Sequence, residues 1–147
     1  MVVPGYWNRP DANTADFVDG FWRSGDVASV DAEGYVRLLD RIKDMINRGG
    51  HKVYSAEVES TLCDHPCVLE CAVVGDPDPV LGERVRALVV PRPGAAITAQ
   101  DIRSFCAERL ADYKVPEFVD VLGEPLPRNA NGKIQKALLR EKNSPRT

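Results

Sequence analysis

Two apolar stretches in the middle of the chain, Leu69 to Gly75 and Arg84 to Val90, do most to limit what it can fold into. Both read as strands, and Asp76-Pro77-Asp78-Pro79 between them predicts a rigid, irregular connection. Segments with helical spacing flank the pair. Val58, Thr61 and Leu62 recur at helical intervals up to His65-Pro66, where the proline should end the helix. Ser55 is placed to cap its start, and Glu57 and Glu59 set carboxylates near its positive end. Thr98 opens a second helix, with Asp101 in the first turn and Ile102, Phe105, Cys106 and Leu110 on one stripe. A third strand fits Phe118 to Leu122, and Met45 to Tyr54 reads as a small hairpin broken at Gly49-Gly50. After Pro125-Leu126-Pro127, a polar loop from Arg128 to Lys133 leads into a short helix from Ile134 to about Lys142. The expected fold class is α+β: a small three-stranded sheet with packed helices and a β-hairpin.

Residues 1–40 have a different character, being rich in aromatics, Gly and Asp. Phe21 to Val30 and Tyr35 to Leu39 predict two strands joined through Asp31-Ala32-Glu33-Gly34. A lone hairpin is marginal in water, so Trp7, Phe17, Phe21 and Trp22 need another surface to cover them. A boundary between residues 1–40 and residues 41–147 follows from this change of pattern.

Size and charge exclude several function classes. At 147 residues the chain can bury one modest core, and 44% hydrophobic with 28% charged residues is ordinary for a globular protein. The longest apolar runs, such as Cys71 to Val74, are too short for a transmembrane segment, and no secretory signal follows Met1; a cytoplasmic location is expected. A net charge of −3 argues against nucleic acid as a partner. Cys63, Cys67 and Cys71 lie four residues apart with His65 among them, which raises a zinc site. Pro66 interrupts any helix that would align them and no Cys-x-x-Cys occurs, so free thiols of a reducing compartment are expected.

Several separated motifs, in order, cover nearly the whole chain. Gly5-Tyr6-Trp7-Asn8-Arg9-Pro10 and Phe21-Trp22-Arg23-Ser24-Gly25-Asp26 come first. Asp40-Arg41-Ile42-Lys43-Asp44-Met45-Ile46 runs on through Arg48-Gly49-Gly50 to Ala56-Glu57-Val58-Glu59. Gly82-Glu83-Arg84-Val85 and Tyr113-Lys114-Val115-Pro116 follow, and Asn131-Gly132-Lys133-Ile134 closes the series. Together they resemble the C-terminal lid domain of the acyl-CoA synthetases, AMP-dependent ligases of the adenylate-forming superfamily. Ser24 stands where the family has threonine, and Asp40 where glycine is commonest.

The resemblance implies a two-step reaction in which a carboxylic acid and ATP give an acyl-adenylate, and CoA then displaces AMP. It makes residues 1–40 a β remnant of the large AMP-binding domain and residues 41–147 the lid. Lys133 is then the catalytic lysine, whose compact ammonium suits charge developing at the α-phosphate; otherwise it is a solvated turn lysine. Asp26 becomes the ribose ligand, since a carboxylate accepts two hydroxyl donors at once, or else a turn aspartate. Arg41 becomes a further nucleotide contact, or a surface salt bridge with Asp40 or Asp44. Lys43 falls at the hinge, or is an ordinary edge lysine. Gly49 and Gly50 would let CoA's pantetheine pass close to the backbone, which is compatible with a tight hairpin turn. Arg48, Lys52 and Lys114 are candidates for CoA phosphates. Mg2+ is implied, with its ligands outside this chain. The implied partner is the large N-terminal AMP-binding domain, and without it the chain is expected to be inactive in adenylation. Two other readings are an adenylation unit serving a carrier protein, and a non-catalytic module docking through the aromatics near its start.

Overall fold

A computed structural model of the chain describes residues 3–143 and divides it after Lys43 into two compact units. The first unit begins with a helix that the sequence pattern did not announce, α1 (Pro10–Asp16), whose proline takes the first helical position. Asn13 on α1 accepts the Tyr6 N–H at 2.6 Å and donates back to the Tyr6 carbonyl at 3.0 Å. Strands β1 (Phe17–Val18) and β2 (Phe21–Trp22) then pair across Asp19-Gly20, both at positive φ, as a two-residue hairpin turn requires. A second hairpin joins β3 (Asp26–Val30) to β4 (Val36–Arg41), with Asp31 Oδ1 accepting two backbone N–H groups of its turn. The single strand expected from Phe21 to Val30 is thus two strands. Gly25, at φ +75°, breaks the run in a conformation that side chains disfavour. Trp7, Phe21, Trp22, Tyr35 and Leu38 are exposed, and none of the described residues of this unit is buried.

The second unit is built on one sheet. Its central strand is β8 (Gly82–Pro91), paired along its whole length with antiparallel β7 (Val68–Asp78). The other edge of β8 is shared. Near its start, Gly82 pairs with Arg48 of the hairpin β5 (Ile46–Arg48) and β6 (His51–Val53), and further on β9 (Phe118–Val121) runs parallel to Arg86–Val89. The expected three strands and hairpin therefore form one continuous five-stranded sheet. Asp76-Pro77-Asp78, expected to be irregular, continues β7 instead. Because β7 is an outer strand, it tolerates Pro77 without losing a central ladder bond.

Helices cover both faces of this sheet, which is why β7 and β8 read as continuous apolar runs rather than as alternating ones. On one face α2 (Ser55–Cys63) and α3 (Ala99–Ala107) bury Val58, Leu62, Ile102 and Cys106 against Val73, Val85, Ala87 and Val89. On the other, Leu126 and Leu139 of α4 (Lys136–Asn143) close over Ala72, Val74, Leu88 and Val90. Side chains along each strand alternate between these two cores, as the pleat demands. Thr98 caps α3 as expected, in a reciprocal capping box with Asp101. Ser55 does not cap α2: Tyr54 holds that position, and the Ser55 side chain is buried. Glu57 and Glu59 are likewise committed to lysines, at 2.6 Å from Lys114 and 2.7 Å from Lys136.

Two expected outcomes follow from this arrangement. The amides of β3 and β4 should exchange with solvent faster than those of β7 and β8, because no described residue of the first unit is buried whereas buried side chains cover both faces of the sheet in the second. Equal protection of the two hairpins in hydrogen-exchange mass spectrometry would contradict this.

The second outcome concerns alkaline pH. Burial pushes the Cys106 thiol up to about 11, and pushes Cys71 up as well, helped by the neighbouring Cys63 and Glu59. In the unfolded chain these thiols ionise near their ordinary value of 9.0, so the folded state is fully favoured below pH 9.0 and loses stability as pH rises toward 11. Urea unfolding below pH 9.0 and again near pH 11 should show a smaller alkaline loss in a Cys71→Ala/Cys106→Ala variant than in the parent. Identical losses would show that these thiols do not carry the effect.

Candidate functional site

In the first unit, Asp26 and Arg41 are direct cross-strand partners, and Arg41 Nε lies 3.3 Å from Asp26 Oδ1. The turn that presents them is tied from both sides. Ser24 Oγ accepts the Asp26 N–H at 3.2 Å, and the Gly25 carbonyl accepts the Ile42 N–H at 2.8 Å. Arg41 therefore pairs with neither Asp40 nor Asp44. Asp40 Oδ1 accepts the backbone N–H of Arg41, and Asp44 holds Arg140 of α4 at 2.8 Å. The Asp26 carboxylate is a quarter exposed and Arg41 about half, so both reach solvent while remaining oriented. Lys43 is the last residue of this unit and is exposed, and Asp44 begins the next, anchored through Arg140.

Gly49 and Gly50 form the tip of the β5–β6 hairpin with φ of +57° and +89°. Gly49 donates its N–H to the Leu81 carbonyl at 2.7 Å, and a Cβ there would stand 3.1 Å from Leu81 Cδ2. Gly50 faces open space. Of the three cations considered beside this turn, Arg48 is paired with Glu117, and Lys114 with Glu57 at 2.6 Å. Lys52 is exposed and has no ion pair among the described residues. His51 stacks on Tyr113 at 4.6 Å between ring centroids, a packing contact directly beside the glycine turn.

Lys133 lies elsewhere, in a loop that closes on itself. Arg128 and Ile134 form a bridge, Asn129 donates to the Lys133 carbonyl at 2.9 Å, and Asn129 Oδ1 accepts the N–H groups of Asn131 and Lys133. Gly132 sits at φ +77°, the left-handed conformation that the tight return needs. The Lys133 side chain is exposed and meets no carboxylate among the described residues. The structure therefore joins Asp26 to Arg41 and Gly49 to Gly50, but no hydrogen bond or ion pair links Lys133 to the glycine turn among the described residues.

Cys63 and Cys71 bring their sulfurs to 3.7 Å, Cys67 is half-buried, and all four cysteines are free. Among the described residues no group of three or more His, Cys, Asp or Glu side chains is placed to hold a metal ion. No helix among them is long and apolar enough to cross a membrane.

Sequence patterns passed over the carboxylates that hold these loops in place. Glu83 lies across Gly75, where a Cβ would come within 2.4 Å of its Oε1, and accepts the Asn47 N–H of β5 at 2.7 Å. A glycine inside a strand signals such a close approach. Glu70, Glu117 and Lys136 carry no comparable local signal, because their partners are 33 to 81 residues away.

Residues 57–133, just over half of the chain, match the family model for the AMP-binding enzyme C-terminal domain. A feruloyl-CoA synthase of an Amycolatopsis species is 45% identical over 141 residues, which is 96% of this chain and 28% of that protein. A long-chain-fatty-acid–CoA ligase of Mycobacterium tuberculosis is 46% identical over 144 residues, 98% of this chain and 28% of its own. Among solved structures, o-succinylbenzoate CoA synthetase of Bacillus subtilis, in complex with its acyl-adenylate intermediate, superimposes with a TM-score of 0.85 at 40% identity, over 92% of this chain and 28% of that one. The chain spans little more than a quarter of the length of the curated relatives it matches. Matched by the family model over more than half its length and by these relatives over nearly all of it, the chain belongs to the AMP-binding enzyme C-terminal domain family.

Proposed function

We propose that this chain is the lid portion of an ATP-dependent acid–thiol ligase, acting with a large AMP-binding domain to make an acyl-CoA. The observation that carries this reading is an exposed lysine, Lys133, without a carboxylate partner among the described residues and held on a tightly hydrogen-bonded loop. In the first step a carboxylate oxygen of the acid attacks the α-phosphorus of ATP and pyrophosphate leaves. Negative charge grows on the oxygens around that phosphorus, and the Lys133 ammonium stabilises it there. Its loop fixes the backbone beforehand, so little reorganisation remains at the moment of reaction.

In the second step the CoA sulfur attacks the acyl carbon and AMP leaves. This step needs a different surface beside the adenylate, which the Gly49–Gly50 turn supplies by letting a pantetheine chain lie close to bare backbone. Lys52 is the cation left to meet a CoA phosphate, since Arg48 and Lys114 are already paired. Rotation of the lid at Lys43, where the two compact units divide, exchanges the two surfaces. Asp26 accepts the ribose hydroxyls, and Arg41, its cross-strand partner, keeps the carboxylate oriented. The acid is selected outside this chain. Feruloyl, long-chain fatty and o-succinylbenzoyl ligases all resemble it to a similar degree, although their acids share little chemistry.

The two half-reactions separate the roles when the chain works with its large domain. Lys133→Ala should cut acyl-adenylate formation by roughly a hundredfold to a thousandfold, the usual loss for a preorganised electrostatic contact. Thioester formation from added acyl-adenylate should survive. Lys43→Pro should do the opposite, since fixing the backbone at the junction obstructs rotation while leaving the adenylating arrangement possible. Equal loss of both half-reactions in both variants, measured as pyrophosphate release and as CoA consumption, would mean that the lysine or the hinge is misassigned.

A further inference from the structure

The loop that carries Lys133 is gripped at both ends by carboxylates rooted in the sheet and in α2. Upstream the grip is Glu70 of β7. Its Oε1 accepts the Leu126 N–H at 2.8 Å, and its Oε2 pairs with Arg128, whose Nη1 donates to the Gly132 carbonyl at 2.7 Å. That carbonyl is one peptide away from Lys133. Downstream the grip is Glu59 of α2. Its Oε1 lies 2.7 Å from Lys136 Nζ and accepts the Val73 N–H of β7 at 2.7 Å. Lys136 Nζ also donates to the buried Ser55 Oγ at 2.8 Å. Lys136 stands three residues after Lys133, at the first position of α4.

An exposed polar loop is ordinarily among the more mobile parts of a fold. Here each end is fixed by a charge-assisted hydrogen bond: downstream both Lys136 and Glu59 are largely sheltered, at 16% and 23% exposed, and upstream the sheltered Glu70, 17% exposed, holds the half-exposed Arg128. Attachment of α4 to the sheet does not account for both grips, because Leu139 already packs α4 into the second core and because Arg128 reaches back to the loop's own backbone. What the two grips share is the segment between them. A catalytic ammonium must arrive within a fraction of an ångström of its place, and its long stem transmits any error in where the backbone starts.

We infer that Glu59 and Glu70 are positioning residues which, through Lys136 and Arg128, fix the path of residues 128–136 and so the point from which Lys133 extends. This inference rests on the proposed role of Lys133 in adenylation.

Glu59→Gln and Glu70→Gln test it, because each keeps the size of the side chain and one oxygen to accept the backbone N–H, while removing the charge and replacing the second oxygen with an NH2 group. In the chain itself, the Lys133 and Gln135 amides, bonded to Asn129 Oδ1 and to the Pro127 carbonyl, should exchange several-fold faster in each variant, with β7 and β8 unchanged. In the ligase assembled with its large domain, kcat for adenylation should fall roughly tenfold to a hundredfold, the scale of a misplacement near 1 Å, with KM for the acid little altered. Placed in a Lys133→Ala background, the same changes should cost nothing further, and Lys136→Arg should retain activity that Lys136→Met loses. Unchanged exchange in the loop would overturn the inference. An equal proportional loss with and without Lys133 would also overturn it, by showing that the carboxylates act on the fold and not through the lysine. If Lys133→Ala alone adenylates normally, the proposed function fails and the inference with it, even where the exchange rates still show the grips.

Discussion

Burial of β8 on both faces is the constraint from which the rest of the second unit follows. A strand covered on one side only leaves the other free to vary. Here Val85, Ala87 and Val89 must meet α2 and α3, while Leu88 and Val90 must meet Leu126 and Leu139. A shift of one residue in the β7–β8 register would exchange the two sets and fill each core with the wrong side chains. The segment that follows β9 therefore has to cross to the second face, carrying the loop of Lys133 with it. The glycine turn belongs to the hairpin whose Ile46 and Val53 enter the first core. One rigid sheet thus fixes two functional loops in separate places.

Ion pairs then decide which cations remain available. Burial disfavours the charge on Arg86, but Asp76 at 2.7 Å and Asp120 at 2.8 Å more than offset this and raise its pKa above the ordinary value. Arg84 is shared between Asp78 and Glu117, and Glu117 in turn holds Arg48. The Asp78 carboxyl is held down to about 2, first by the Leu81 N–H and then by Arg84. These pairs link β5, β7, β8 and the approach to β9, and they consume most of the positive charge beside the hairpin. In partly buried pairs of this kind desolvation offsets much of the attraction, so their larger effect is on orientation and on which cation is left over.

Much of this was legible in the sequence wherever a signal was local. The runs at residues 69–75 and 84–90, the Gly49-Gly50 break and the Thr98–Asp101 cap each depend on neighbours only a few residues apart. Errors arose where tertiary contacts decided. Ser55 has the chemistry of a cap, yet Lys136, 81 residues later, takes its hydroxyl. Asp76-Pro77-Asp78 has the composition of a loop, but pairing with Arg84, Glu83 and Gly82 extends it as strand. Arg41 was weighed against its sequence neighbours and found its partner across a hairpin. One miss was avoidable: Asp19-Gly20 is a strong hairpin signal and locates the β1–β2 turn by itself.

The likeness to ligases of unlike acids bears on what such a chain is selected to do. A segment that touched the acid should resemble ligases of similar acids more than the others, because pocket shape and polarity would differ among them. Similar identity to feruloyl and fatty-acyl ligases instead fits a segment concerned with what those reactions have in common: a pentavalent phosphorus, a ribose and a thiol. Under the proposed function those common demands conflict in space, since the cation that assists the first step would occupy ground the thiol needs in the second. In the proposed reaction, the two well-anchored loops of one sheet would answer that conflict by exchanging places instead of changing shape. Under the proposed function, rigidity within the lid and rotation at Lys43 are therefore complementary requirements of one mechanism.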